Sequence, residues 1–232
     1  MKYIWVLFLL FVSYSASAFQ VKPMVSELKP SGSQSQQTFV VLNNSNESLT
    51  IDVEAYDLLV DVQGNENLKS NDKDFLIIPL TSIIPSGKSQ SIIVRYIGEP
   101  VLKNSKSYRV AINQVAVDLG KGSGSGIGLS VSFKTLLNVV PEKAEASIVI
   151  KGKKQISKDV WSVSLENTGN KFARLSQSKW TIRNQQKDIV LEGKKLSQLL
   201  SGQIVLPKSS RTVRIKIPSE FNASNSDLDV VL

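Results

Sequence analysis

The chain has no cysteine and no histidine. That removes disulfides, Cys/His zinc sites, the Cys–His dyad and the Ser–His–Asp triad together. Small secreted domains usually rely on disulfides, so an exported protein of this composition needs a core that stands alone, and 232 residues can build one. Sustained helical periodicity is also missing, and no apolar run beyond the first residues is long enough to cross a bilayer.

The first residues carry an address. Met1-Lys2 precede an apolar run from Ile4 to Val12, and Ala16-Ser17-Ala18 has the small-residue pattern of a cleavage site, so residues 1–18 read as a secretory signal peptide. The mature chain is expected to begin at Phe19. A membrane anchor would need about 20 apolar residues, and this run is shorter. Export without disulfides points to the periplasm of a bacterium.

Lys and Arg number 28 against 20 Asp and Glu, for a formal charge of +8. The basic residues are scattered, and those from Lys151 to Lys154 have no interleaved aromatics, which argues against a nucleic-acid partner. Lys153-Lys154 are expected in a solvated turn.

Short β-branched and aromatic runs separated by turn residues predict an all-β fold. Strands are expected near Phe19–Leu28, Gln37–Leu42, Leu49–Leu59, Phe75–Ile78, Ser89–Tyr96, Ser107–Val117 and Ile127–Val140. Pro30-Ser-Gly32, Asn43-Asn-Ser-Asn46 and Pro85-Ser-Gly87 mark turns. Seven strands in this length suggest an immunoglobulin-like sandwich over residues 19–141. Pro141 breaks the last strand. A second β-sandwich domain is expected over 142–232, with strands near Ala146–Lys151, Val160–Asn167, Phe172–Gln177, Lys179–Arg183, Asp188–Leu191, Ile204–Leu206, Arg211–Ile217 and Asp227–Leu232, and one short helical turn at Leu196–Leu200.

Several segments resemble catalytic or cofactor motifs and fail on context. Gly87-Lys88-Ser89 looks like the end of a phosphate-binding loop, but the glycine required five positions earlier is Ser82 and the following segment alternates as a strand. The glycines at 120, 122, 124, 126 and 128 precede a strand, whereas a dinucleotide-binding loop follows a strand and opens a helix. Asp57, Asp61, Glu66, Asp72 and Asp74 read as a polar connection between strands, with neither calcium-loop spacing nor a glycosidase pair. No nucleophile has an identifiable base. These readings predict a protein that is not an enzyme and takes no cofactor, no metal and no small-molecule substrate.

The most informative stretch is Gly120 to Lys134, where a glycine-rich loop opens into alternating Ile127, Leu129, Val131 and Phe133. Alternation puts all four on one face of a long strand. If that strand lies on a sheet edge, its backbone groups and apolar row form a template for another chain.

The order of a leader, Phe19-Gln-Val-Lys-Pro-Met24, Val53-Glu-Ala-Tyr56, Ile84-Pro-Ser-Gly87 running into Ser89–Tyr96, Ser107-Tyr-Arg-Val110 and a long strand ending at Pro141 resembles the periplasmic pilus-assembly chaperones of the PapD type. Asn167-Thr-Gly-Asn-Lys-Phe-Ala-Arg-Leu-Ser176 is most similar to the archaic branch of the chaperone–usher system. The resemblance implies a boomerang of two immunoglobulin-like domains. It also implies capture of pilin subunits by strand donation and delivery to an outer-membrane usher. On that reading Ile127, Leu129, Val131 and Phe133 form the donor row, with Phe133 serving either the row or the sandwich core.

Lys134, of opposite parity, is similar to the family's strand-borne lysine that holds the pilin's terminal carboxylate through a charge-assisted hydrogen bond. The family's first-strand arginine has no match, since Val25 and Ser26 stand in that region and only Lys22 is basic. Arg95 is the expected substitute, with a solvated strand arginine as the alternative, and Arg109 is expected to support the fold or the domain interface. A secreted structural sandwich, such as a pilus subunit or adhesin, is the rival function. Whether the free protein covers its edge by self-association is left open.

Overall fold

The computed structural model describes residues 19–115, 130–200 and 202–232. Among them the chain forms strands β1 (Gln20–Lys22), β2 (Val25–Leu28), β3 (Gln36–Leu42), β4 (Leu49–Val60), β5 (Glu66–Ser70), β6 (Phe75–Ile78), β7 (Thr81–Ile84), β8 (Ser89–Tyr96), β9 (Lys106–Gln114) and β10 (Ser132–Val139). It continues with β11 (Ile148–Ser157), β12 (Val160–Asn167), β13 (Ala173–Arg174), a 3-10 turn Leu175–Gln177, β14 (Lys179–Arg183), β15 (Asp188–Leu191), helix α1 (Gly193–Leu199), β16 (Ile204–Val205), β17 (Ser209–Lys216) and β18 (Asp227–Val231). The all-β reading of the sequence holds.

The first ten strands make two facing sheets. One has the order β1-β3-β8-β6; the other runs β2-β10-β9-β4-β5, with β7 also on β4. The 12-residue β4 accommodates both neighbours because Leu49–Asp52 pair with β7 and Tyr56–Val60 with β5. The expected single strand Phe19–Leu28 is divided: β1 pairs with β3 in one sheet, and β2 runs parallel to β10 in the other. Pro23 lacks an N–H and stands at the crossing, where a ladder bond is dispensable. β6 and β7 change sheets the same way across Pro79.

Alternation builds the core. In β8, Ile92, Val94 and Tyr96 are buried while Ser91, Ile93 and Arg95 face out. These side chains join Phe39, Val41, Ile51, Val53, Tyr108, Val110, Ile112, Leu137 and Val139 in one cluster. Phe75, Tyr96 and Tyr108 meet edge to face or tilted within it.

The later strands form a second sandwich from the sheets β11-β12-β17 and β15-β14-β18, with a small β13-β16 pair. Its separate core centres on Trp161, Trp180, Leu165, Leu175, Ile215 and Phe221, with Leu196 of α1 inserted. Lys153 and Lys154 lie inside β11, not in a turn: β11 is an edge strand with a register shift between Ile150 and Gly152, so alternation there is broken and charge is tolerated.

A third cluster joins the two sandwiches. Leu58 and Leu136 of the first pack with Ile204 of the second, flanked by Val25, Val60, Leu68 and Leu206. Polar links surround it: the Thr212 amide donates to the Val62 carbonyl at 2.7 Å, the Ser105 amide to the Asn170 carbonyl at 2.8 Å and the Phe172 amide to Ser105 Oγ at 2.8 Å. Lys171 and Glu27 pair at 2.9 Å.

Candidate functional site

β10 is bordered unequally. Along one side all eight residues pair with β9, from Ser132 opposite Asn113 to Val139 opposite Lys106. Along the other, β2 pairs only with Leu136 to Val139. Among the described residues, no strand covers that side from Ser132 to Thr135.

Parity sets which backbone groups this leaves free. The Leu136 amide donates to Met24 and the Val140 amide to Leu28, whereas the Val131 carbonyl accepts from Gln114. Even-numbered residues of β10 therefore direct their N–H and C=O toward the β2 side and odd-numbered ones toward β9. The amides of Ser132 and Lys134 accordingly point into the open margin.

The side chains sort by the same parity. Thr135, Leu137 and Val139 are buried in the first core, and Phe133 packs on its border, half-buried against Phe19 at 4.8 Å between ring centroids. Val131, next in that row, is exposed. Ile127 and Leu129 lie outside the described residues.

Lys134 faces outward with Leu136, on the sheet surface that turns toward the second sandwich. Its neighbours there come from β9 and β4. Leu136, Arg109 and Tyr56 are aligned across three strands, and Lys134, Ala111 and Glu54 form the next row. Tyr56 Oη donates to Glu54 Oε2 at 2.6 Å and Asn113 Nδ2 to the same oxygen at 3.0 Å. Glu54 is thus occupied. The Tyr56 phenol is pushed up to about 12, first by that hydrogen bond, then by burial and by the charges of Glu54 and Asp52. Among the described residues the Lys134 ammonium has no ion-pair or hydrogen-bond partner.

Arg109 is the second cation on this face. Its Nε donates to Glu66 Oε2 at 3.1 Å, its Nη2 donates to Glu66 Oε1, and its Nη1 lies 3.4 Å from the Lys134 carbonyl oxygen. Arg95 is elsewhere: it is exposed on the outer face of β8, in the opposite sheet, beside Leu76 and Gln36. Lys134 and Arg109 are brought together; Lys134 and Arg95 are not. The outward parity of Arg109 follows from buried Tyr108 and Val110, but its proximity to Lys134 depends on the β9–β10 register, which no local motif announces.

The acidic stretch is structured as well. Asp57 lies in β4 and Glu66 in β5, and the turn between them is held by Asp61, whose carboxylate accepts from the Gly64 and Asn65 amides at 2.7 and 2.8 Å and from Asn65 Nδ2 at 2.7 Å. These bonds, the Asn65 side chain's first, hold the Asp61 carboxyl below its usual range. Asn71 Nδ2 bridges Asp57 and Asp74 at 2.7 and 3.2 Å, and Tyr108 Oη donates to Asp74 at 2.9 Å. The expectation of a single polar loop fails because β5 is an edge strand with hardly a buried side chain, so it needs no apolar alternation.

No family model matches the sequence, and no curated protein sequence matches it. Solved structures do. The class 5 fimbriae chaperone CfaA aligns over 93% of this chain and 99% of its own, with 16% identity and a TM-score of 0.58. The complex of the SafA pilin with the SafB chaperone from Salmonella enterica matches over 93% of this chain and 97% of the matched chain, at 13% identity and a TM-score of 0.54. The CsuC–CsuE chaperone–tip subunit pre-assembly complex of the archaic chaperone–usher Csu pili of Acinetobacter baumannii matches over 85% and 90%, at 12% identity and a TM-score of 0.55. The two-sandwich, all-β fold is what this chain shares with these fimbrial chaperones.

Proposed function

We infer that the protein is a periplasmic chaperone that captures incomplete β-sandwich subunits by lending them the edge of β10, and passes them to an outer-membrane usher. Capture belongs to the unit of residues 19–141, with 142–232 as the second unit and 1–18 as a leader removed on export. The observation that carries this reading is the margin of β10 from Ser132 to Thr135, which no strand covers among the described residues. A chain missing one strand can add there by main-chain hydrogen bonding, and the row Ile127, Leu129, Val131 and Phe133 would fill its groove. Each fully buried apolar side chain of that row contributes about 1.5–3 kcal/mol before ordering costs.

Lys134 and Arg109 are the two cations that would receive the subunit's terminal carboxylate beside that edge, so Arg109 replaces Arg95 in the reading. The chemistry is association, and no step requires a covalent intermediate.

Ser132→Pro tests the proposal. Residue 132 directs its N–H to the open side, so proline there removes a donor without costing a bond to β9. Expressed with subunits encoded by neighbouring genes, the variant is expected to fold with a melting temperature close to wild type and to lose co-purification. Wild-type recovery of subunit by folded Ser132→Pro overturns strand donation at this margin.

A further inference from the structure

Glu66 makes a contact that the capture reading leaves unexplained. Its carboxylate engages Arg109 through two oxygens, in the fork geometry by which a guanidinium grips any carboxylate. It comes from β5, which among the described residues pairs with β4 alone, and reaches Arg109 past the intervening β4. The Arg109 Nε and Nη2 donors that a captured carboxylate would grip are therefore already held by one of the protein's own.

Glu66 also has a second cation to turn to. Arg211 of β17 is buried against the same hairpin: a Cβ at Gly64 would collide with its guanidinium, and its Nη2 donates to Gln203. Burial lowers the Arg211 pKa, while the charges of Asp61 and Glu66 oppose that shift, so Glu66 lies within electrostatic reach of it. The hairpin is itself fastened to the second sandwich by the Thr212 amide on the Val62 carbonyl. A carboxylate leaving Arg109 is thus not stranded without a counter-charge.

We propose that Glu66 is an internal competitor that occupies Arg109 in the free protein and gives it up to the terminal carboxylate of a captured chain. The proposal rests on the reading of Lys134 and Arg109 as a carboxylate site. Its effect is to weaken binding of isolated carboxylates, so that Arg109 is released only to a chain already held along β10.

Sodium acetate is the probe, with sodium chloride at equal ionic strength as the control. Arginine Nε–H resonances are followed by NMR in wild type and in Glu66→Gln, with the Arg109 signal assigned by its loss in Arg109→Lys. The Thr212 amide reports in the same spectra that the hairpin stays docked. Acetate is expected to saturate the Arg109 signal of Glu66→Gln at a concentration about fivefold lower than in wild type, the scale of one lost ion pair at a partly exposed site. Equal saturation in both proteins overturns the role of Glu66 and leaves the carboxylate site standing. If acetate moves the signal in neither protein, the carboxylate-site reading fails and the competitor with it.

Discussion

The ring of Phe19 meets the ring of Phe133 edge to face, 4.8 Å between centroids and 70° between planes. The residue expected to become the first of the mature chain is thereby packed on the last residue of the apolar row in β10. Phe19 is fully buried, whereas Phe133 is only half-buried at the border of the core. Phe19 thus anchors the root of the candidate donor strand.

Phe19→Ala is expected to destabilise the first sandwich by about 3–5 kcal/mol, the usual cost of emptying a buried phenylalanine site. Phe133→Ala should cost less. A double-mutant cycle in urea should return a coupling of about 0.5–1.5 kcal/mol, the scale of an aromatic pair. Strict additivity would show that the two rings contribute independently.

Lys134→Ala and Arg109→Gln are both expected to cut subunit co-purification by at least about tenfold, since each removes a charge-assisted bond worth about 1.5–3 kcal/mol where desolvated. Arg95→Ala, on the outer face of the opposite sheet, should capture like wild type. Melting temperatures measured in parallel separate lost capture from lost folding. Capture that depends on Arg95 and not on Arg109 would reverse the assignment of the second cation.

Tyr56, Tyr96 and Tyr108 are the tyrosines after residue 18, and all three hold their protons beyond the ordinary value of 10. The causes differ: the hydrogen bond to Glu54 for Tyr56, and burial first for Tyr96 and Tyr108. Because the folded values lie above the unfolded one, the stabilisation is complete below pH 10. It falls as the pH climbs through the folded values, about 12 for Tyr56. Phenolate absorbance of the chain lacking residues 1–18 should therefore rise only above the ordinary tyrosine value of 10, together with loss of the folded signal. A tyrosine titrating at the ordinary value in the folded protein would contradict the Glu54 and core environments described above.

The legible part of the fold is the part with one apolar face. Phe75–Ile78, Ser89–Tyr96, Val160–Asn167, Lys179–Arg183 and Asp188–Leu191 coincide with β6, β8, β12, β14 and β15, because each alternates or is apolar between turn residues. β5 was illegible for the opposite reason: its neighbours are solvent on one side and the end of β4 on the other. Around the site, the outward parity of Lys134 can be read from its own strand. The meeting of Arg109 with Glu66, 43 positions apart, is a product of sheet order and of a hairpin bent toward the second sandwich. Neither leaves a mark in the local pattern.

The parallel ladder of β2 with β10 has a consequence in time. Asn138 and Ser26 lie against each other across 112 residues of chain, so the first sandwich cannot close until its last strand has arrived. Loop-closure entropy makes such a contact late in folding. A nascent chain emerging amino end first holds Leu28, Phe39 and Ile112 without Leu137 and Val139, and ending the chain before Ser132 yields an unclosed domain, not a smaller one. The strand proposed to complete another protein is the one that completes its own domain last.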